Sequence, residues 1–201
     1  MNLWGIGQAS PVHFAGMAAF MAIFVPFVFS LIRAGMARGK ESGGAKPSAI
    51  SRLGIGIQMI GFFIVGWGQV TLIMGWPTGA QALIALATAA LSLASLLIFH
   101  SSRKALEQNW SIVARTRNDH QLVTSGPYAA VRHPIYGALF CWLLAMALAF
   151  GHYAALVLAV PLFCIGMVLR TREEERLLRA MFGPAYDAYA ARVKRFIPHV
   201  I

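Results

Sequence analysis

Ile135–Leu169 reads IYGALFCWLLAMALAFGHYAALVLAVPLFCIGMVL. Two apolar runs, 135–150 and 154–169, are separated only by Gly151, His152 and Tyr153. Neither run carries a charge. So short a connection predicts two consecutive antiparallel helices, a hairpin. At about 1.5 Å per residue each run reaches roughly 24 Å, short of a ~30 Å hydrocarbon layer. The hairpin is therefore expected to borrow flanking residues, thin the bilayer, or sit partly enclosed by other helices.

Working toward the N-terminus, three more apolar runs appear: about 12–32, 53–75 and 80–99. The first holds Pro26, tolerated in a membrane helix where neighbours satisfy the freed carbonyl. The second carries Gly54, Gly61, Gly68 and Gly75, a seven-residue step that returns to nearly the same face. Such a stripe lets another backbone approach closely. The Ala-rich third run, with its small residues, is the expected partner. Gln58 and Gln69 share a face and are read as interhelical hydrogen-bonding groups, with the lining of a substrate path as the alternative. Ser102–Trp110 is expected to form a short surface helix.

The whole composition agrees. Of 201 residues, 58% are hydrophobic and 12% charged, with mean hydropathy +0.65. Globular domains carry roughly a quarter charged residues. The fold class is all-α integral membrane: five transmembrane helices, the last two the short hairpin, followed by cytoplasmic amphipathic C-terminal helices. One domain, 1–201, divides into three N-terminal spans (1–99) and a second part (100–201) that carries the polar clusters. The stretch before the first run has no Lys or Arg, unlike a cleavable signal peptide, so that run is taken as a retained span.

Net charge +10 invites a nucleic-acid reading, but its distribution argues otherwise. All seventeen Lys and Arg fall in 33–52, in 100–134, or from Arg170 onward. The N-terminus, the 76–79 turn and the 151–153 turn have none. The positive-inside rule puts the basic regions in the cytoplasm and the N-terminus outside. Cys141 and Cys164 lie within apolar runs and read as buried thiols. No Cys/His spacing suits a metal, so none is expected.

The chemistry-bearing residues flank the hairpin. Before it runs His120–Tyr136, HQLVTSGPYAAVRHPIY; after it, Arg170–Arg176, RTREEER. Pro134 fits a first helical turn. A positive-inside anchor explains Arg132 and Pro134, but not the gathering of His133, Tyr136 and Tyr128 with His120 close by. Each offers a ring and a polar tip, suited to a small polar aromatic ligand such as an adenosine. Arg170 and Glu174 are four apart and share a helix face. There they can present one cation and one anion to a zwitterionic or sulfonium ligand. From Thr171, Leu177, Leu178, Met181 and Phe182 form an apolar side, and Gly183-Pro184 ends one helix and starts another. No GxGxxG after a strand, GxxxxGK[ST], HExxH or GxSxG occurs.

The ordered set His120-Gln121-Leu122-Val123, Gly126-Pro127-Tyr128, Arg132-His133-Pro134-Ile135-Tyr136, then Glu174-Glu175, Phe182-Gly183 and Arg195-Phe196-Ile197-Pro198 resembles the isoprenylcysteine carboxyl methyltransferase family. More broadly it is similar to the membrane methyltransferases that include phospholipid N-methyltransferases. The likeness runs from about Trp110 to Pro198. It implies S-adenosyl-L-methionine as cofactor. It implies a cofactor pocket closed by His120, Gln121, Leu122, Val123, Tyr128, His133, Pro134, Ile135 and Tyr136, with Glu174 in contact. Arg170 would face the acceptor, so Arg170 and Glu174 are the candidate catalytic pair. Residues 100–201 would then form the catalytic core, with a cofactor loop.

The implied partners are a lipophilic or lipid acceptor and membrane lipid, and no nucleic acid. The acceptor stays open among a prenylated cysteine carboxylate, a phospholipid amine and a small thiol. Two readings of other classes stand beside it: an NADPH-dependent membrane reductase related to sterol reductases, and a non-enzymatic membrane scaffold.

Overall fold

A computed structural model describes residues 11–36, 48–68, 70, 78–106, 121–198 and 200. Gln69, Gly75 and His120, singled out above, lie outside the described residues. The described chain is helical: α1 (Pro11–Met36), α2 (Ala49–Gly66), α3 (Thr78–Leu106), α4 (Pro127–Ala130), α5 (Pro134–Phe150), α6 (Leu156–Phe182) and α7 (Pro184–Arg192). A 3-10 turn, Tyr153–Ala155, joins α5 to α6. Three helices are long and apolar enough to cross a membrane, at Ala49–Gly66, Thr78–Leu106 and Tyr153–Phe182. Two shorter apolar helices, Phe14–Ser30 and Pro134–Phe150, accompany them. Large side chains such as Leu53, Phe63, Leu83, Leu86, Val157 and Leu158 point outward, as they do in a protein that meets lipid.

Local chemistry sets the helix ends. The Ser48 hydroxyl caps α2 by accepting from the Ser51 N–H at 3.3 Å. Pro134 opens α5, and Gly151 closes it in the left-handed conformation (φ 73°). Gly183 (φ 51°, ψ −127°) ends α6, and Pro184 starts α7. Nothing between Leu156 and Phe182 breaks the helix except Pro161, which it absorbs. The apolar run and the charged run therefore share one unbroken rod of about 40 Å, where the sequence suggested a span ending at Leu169 and a separate amphipathic helix from Thr171. Likewise Ser102–Leu106, the first part of the expected surface helix, extend α3; its remainder, 107–110, lies outside the described residues.

The pairing of helices departs further from expectation. α5 and α6 are consecutive, yet they diverge: α5 lies along α3, and α6 lies along α2. The glycine stripe of α2 faces α6, not α3. A Cβ at Gly54 would stand 2.8 Å from the Gly166 carbonyl oxygen, and one at Gly166 would stand 2.6 Å from that of Gly54. Gly61 meets the Ala159 carbonyl in the same way, at 3.1 Å. The expected partner failed because Gly166, far from Gly54 in sequence, supplies a second missing side chain and permits backbone-to-backbone approach.

α3 turns its own small residues to α5. Ser95 there donates to the Ala138 carbonyl at 2.7 Å. α1 covers this pair with rings, Phe20 and Phe27 each stacking on Trp142 with centroids 4.6 Å apart. Val65, Leu143, Ala147, Ala159 and Phe163 join the two halves in one apolar cluster. At one end His152 of the hairpin turn meets the Val65 carbonyl, at 2.7 Å. At the other end the start of α2, the start of α5 and the charged end of α6 come together.

Candidate active site

The site grows from the last turns of α6. Arg170 and Glu174 lie one turn apart, with Arg170 Nη2 3.9 Å from Glu174 Oε1. Tyr136, in the first turn of α5, donates its hydroxyl to Glu174 Oε1 at 2.5 Å. The Arg170 guanidinium sits over the Tyr136 ring, 5.0 Å from its centroid. Gln58 of α2 accepts from Arg170 Nη1 at 3.0 Å. The interhelical role expected for Gln58 is therefore what it does.

His133 precedes α5 and is buried between two carboxylates. Its Nδ1 is 3.5 Å from Glu174 Oε2, and its Nε2 is 3.3 Å from Glu175 Oε1. Only the imidazolium can donate at both nitrogens. Burial by itself would push its pKa down, but the hydrogen bonds and charges of Glu174 and Glu175 outweigh it and hold His133 above its ordinary 6.5.

Glu175 is 1% exposed and forms a hub. Arg195 donates to it from Nε (2.9 Å) and Nη2 (2.7 Å), a two-pronged pair. Arg132 Nη2 donates at 3.0 Å. The other terminal nitrogen of Arg132, Nη1, donates to the Ala190 carbonyl at 2.8 Å and to that of Val193, satisfying the otherwise orphaned end of α7. The backbone follows. The Arg132 and His133 amides donate to the Lys194 and Arg195 carbonyls at 2.7 and 3.0 Å, making a parallel bridge between Val131 and Lys194. Phe196 then comes beside the His133 ring, at 5.9 Å. Tyr189 donates to the Tyr128 carbonyl at 2.7 Å, tying α7 to α4. Burial, then the Glu174 charge, pushes the Tyr128 phenol well above its ordinary pKa.

Of the residues marked in the sequence, Tyr128, His133, Tyr136, Arg170 and Glu174 are brought together. Pro134 is buried at the start of α5 and Ile135 half-buried beside it. Gln121, Leu122 and Val123 form the irregular lead-in to α4, Gln121 exposed and the other two half-buried. Arg132 and Glu175 were noticed in the sequence without a place. The signal was there in part: Arg132 adjoins His133, and Arg195-Phe196 closes the ordered motif set. Among the described residues no group of three His, Cys, Asp or Glu could hold a metal ion. The chemistry available is a quarter-exposed carboxylate, a cation stacked on a phenol, and a wall of rings.

Residues 82–185 match the family model described as phospholipid methyltransferase. The chain belongs to that family. Among its relatives is a protein-S-isoprenylcysteine O-methyltransferase of Schizosaccharomyces pombe, 39% identical over 43% of this chain and 37% of the relative. Another, from Arabidopsis thaliana, is protein-S-isoprenylcysteine O-methyltransferase B, 32% identical over 44% of this chain and 45% of its own. A nickel-cobalt-cadmium resistance protein of Alcaligenes xylosoxydans xylosoxydans is 36% identical over 42% of this chain and 39% of the relative. Each match thus spans less than half of the relative's length. The first two names agree with the resemblance read from the sequence, and phospholipid methyltransferase family membership carries it beyond the motifs.

Proposed function

We propose that the protein is a membrane methyltransferase that uses S-adenosyl-L-methionine to methylate a lipophilic acceptor at the cytoplasmic face, in the manner of the isoprenylcysteine carboxyl methyltransferases. One observation carries this reading. Tyr136 and His133, from one marked segment, hold the two oxygens of Glu174, from the other, at 2.5 and 3.5 Å. Family membership and the two relatives' names add support. Neither the reductase nor the scaffold reading gains an observation.

The residues suit the cofactor. Glu174 is 25% exposed while the carboxylate beside it, Glu175, is almost fully enclosed. An oriented, accessible anion to accept from an ammonium, amid rings to pack an adenosine, is the set of contacts the cofactor requires. When bound, the cofactor supplies an electrophilic methyl on a sulfonium. The protein's part is alignment and exclusion of water. Glu174 would accept from the cofactor's ammonium, with Tyr136 and His133 keeping the carboxylate oxygens aimed. Gln121, Leu122, Val123, Tyr128, Pro134 and Ile135 would close around the rest. Arg170 orients the acceptor, which enters sideways from the lipid. The topology that goes with this has five crossings, the N-terminus outside, and the site and C-terminus in the cytoplasm.

Glu174→Gln keeps the shape and removes the charge. Its affinity for S-adenosylhomocysteine is expected to fall at least about tenfold, the loss of one charge-assisted hydrogen bond. An unchanged titration rules out the role of Glu174.

A further inference from the structure

Gln58 lies midway along α2, an apolar helix, and is 3% exposed. Its amide oxygen accepts from Arg170. A guanidinium only donates, so the amide has one possible orientation, oxygen toward Arg170 and NH2 away. That NH2 is buried and has no hydrogen-bond partner among the described residues. An apolar helix gains nothing from a donor left dry.

The helix crossing is built around this side chain. A Cβ at Gly166 would strike Gln58 Cγ at 2.7 Å, and one at Gly54 would strike Arg170 Cγ at 2.5 Å. Both stems run through gaps that glycine leaves. Side chains lean toward the N-terminus of their helix, which for α2 is the polar end. The Gln58 amide therefore reaches toward Arg170, Tyr136 and Glu174 and not into hydrocarbon.

We propose that Gln58 belongs to the acceptor pocket. Its carbonyl holds the Arg170 guanidinium, and its NH2 hydrogen-bonds an oxygen of an anionic acceptor, a lipophilic carboxylate. This rests on the methyl-transfer reading and narrows it. The carboxylate one turn from Arg170, Glu174, has oxygens that face Tyr136, His133 and Arg170, and it is assigned to the cofactor. An amine headgroup finds donors at this end; a carboxylate finds an amide N–H beside a cation. Gln58 lies outside the family match of 82–185, so the choice of acceptor is made partly by a helix that the match leaves out.

The test uses the full chain in detergent and three probes: a farnesyl-thioether carboxylic acid, its primary amide, and phosphatidylethanolamine. Binding is measured for the wild type, Gln58→Leu and Gln58→Glu, with and without S-adenosylhomocysteine, and methyl transfer is followed from labelled S-adenosylmethionine. Gln58→Leu should weaken the acid at least about tenfold, or about 1.4 kcal/mol, and the amide less. Gln58→Glu, which sets a second carboxylate against the acid, should weaken it at least as much. S-adenosylhomocysteine affinity should stay within about twofold in both variants, which also reports their folding. Equal acid binding in the wild type and Gln58→Leu overturns the inference. So does a parallel loss of S-adenosylhomocysteine in both variants, or preferential methylation of phosphatidylethanolamine. A wild type that binds no S-adenosylhomocysteine overturns the methyl-transfer reading instead, and acid binding without cofactor still decides the role of Gln58.

Discussion

Alanine at three glycines of α2 separates helix propensity from helix crossing. In a helix, Ala is favoured over Gly by about 0.5–1 kcal/mol, and that gain is common to Gly54, Gly56 and Gly61. What differs is the space. A Cβ at Gly56 meets nothing within 4 Å, so Gly56→Ala should stabilise by the full gain. At Gly61 the nearest atom is the Ala159 carbonyl oxygen at 3.1 Å; α6 must yield a few tenths of an ångström, and the two terms should nearly cancel. At Gly54 the Cβ would lie 2.5 Å from Arg170 Cγ and 2.8 Å from the Gly166 carbonyl oxygen. The arginine stem can move but the carbonyl cannot, and overpacking of this kind costs about 1–3 kcal/mol. Gly54→Ala should therefore lose up to about 2 kcal/mol net and also displace the Arg170 guanidinium from Gln58. Thermal unfolding in detergent should rank the proteins Gly56→Ala, wild type with Gly61→Ala, then Gly54→Ala. If Gly54→Ala melts with Gly56→Ala, the α2–α6 contact is not as close as described and the reasoning fails.

Glu175→Gln keeps the shape of the hub and removes its charge from Arg132, Arg195 and His133; a broken buried ion pair costs about 3–5 kcal/mol. Trypsin should then cut readily after Lys194 and Arg195 in the folded protein, and protection equal to the wild type would count against the hub. His133 has a raised pKa when folded, so its contribution to stability is whole below about 6.5 and is lost as pH rises through the raised value. The stability difference between the wild type and His133→Gln should shrink over that window; a difference that grows with pH contradicts the two-carboxylate geometry.

The apolar runs, the all-helical class and the turn at 151–153 were legible because each depends on local composition. So was the Arg170–Glu174 pair, which needs only the helical repeat. The pairing of α2 with α6 was not, because close approach depends on two glycines 112 positions apart meeting at the same height. Helix ends were misjudged where charge replaces hydrophobicity without a breaker: Arg170 to Arg176 looked like the end of a rod that continues to Phe182. Arg132 and Glu175 could not be assigned because their partners, Ala190, Val193 and Arg195, come from a tail whose return no periodicity announces. Gln58 was legible in kind, as a polar group expected to bond between helices, but not in partner.

The divergence of α5 from α6 bears on the order in which a newly made chain assembles. α3, the main partner of α5, has already been made when α5 follows it; α6 pairs chiefly with α2, which was made earlier still. The contacts among Gln58, Tyr136, Arg170 and Glu174 are complete only once α6 lies along α2. The hub closes only when Arg195 leaves the ribosome, so a chain halted before it has its long helices but lacks the Glu175–Arg195 pair that ties the tail to α6.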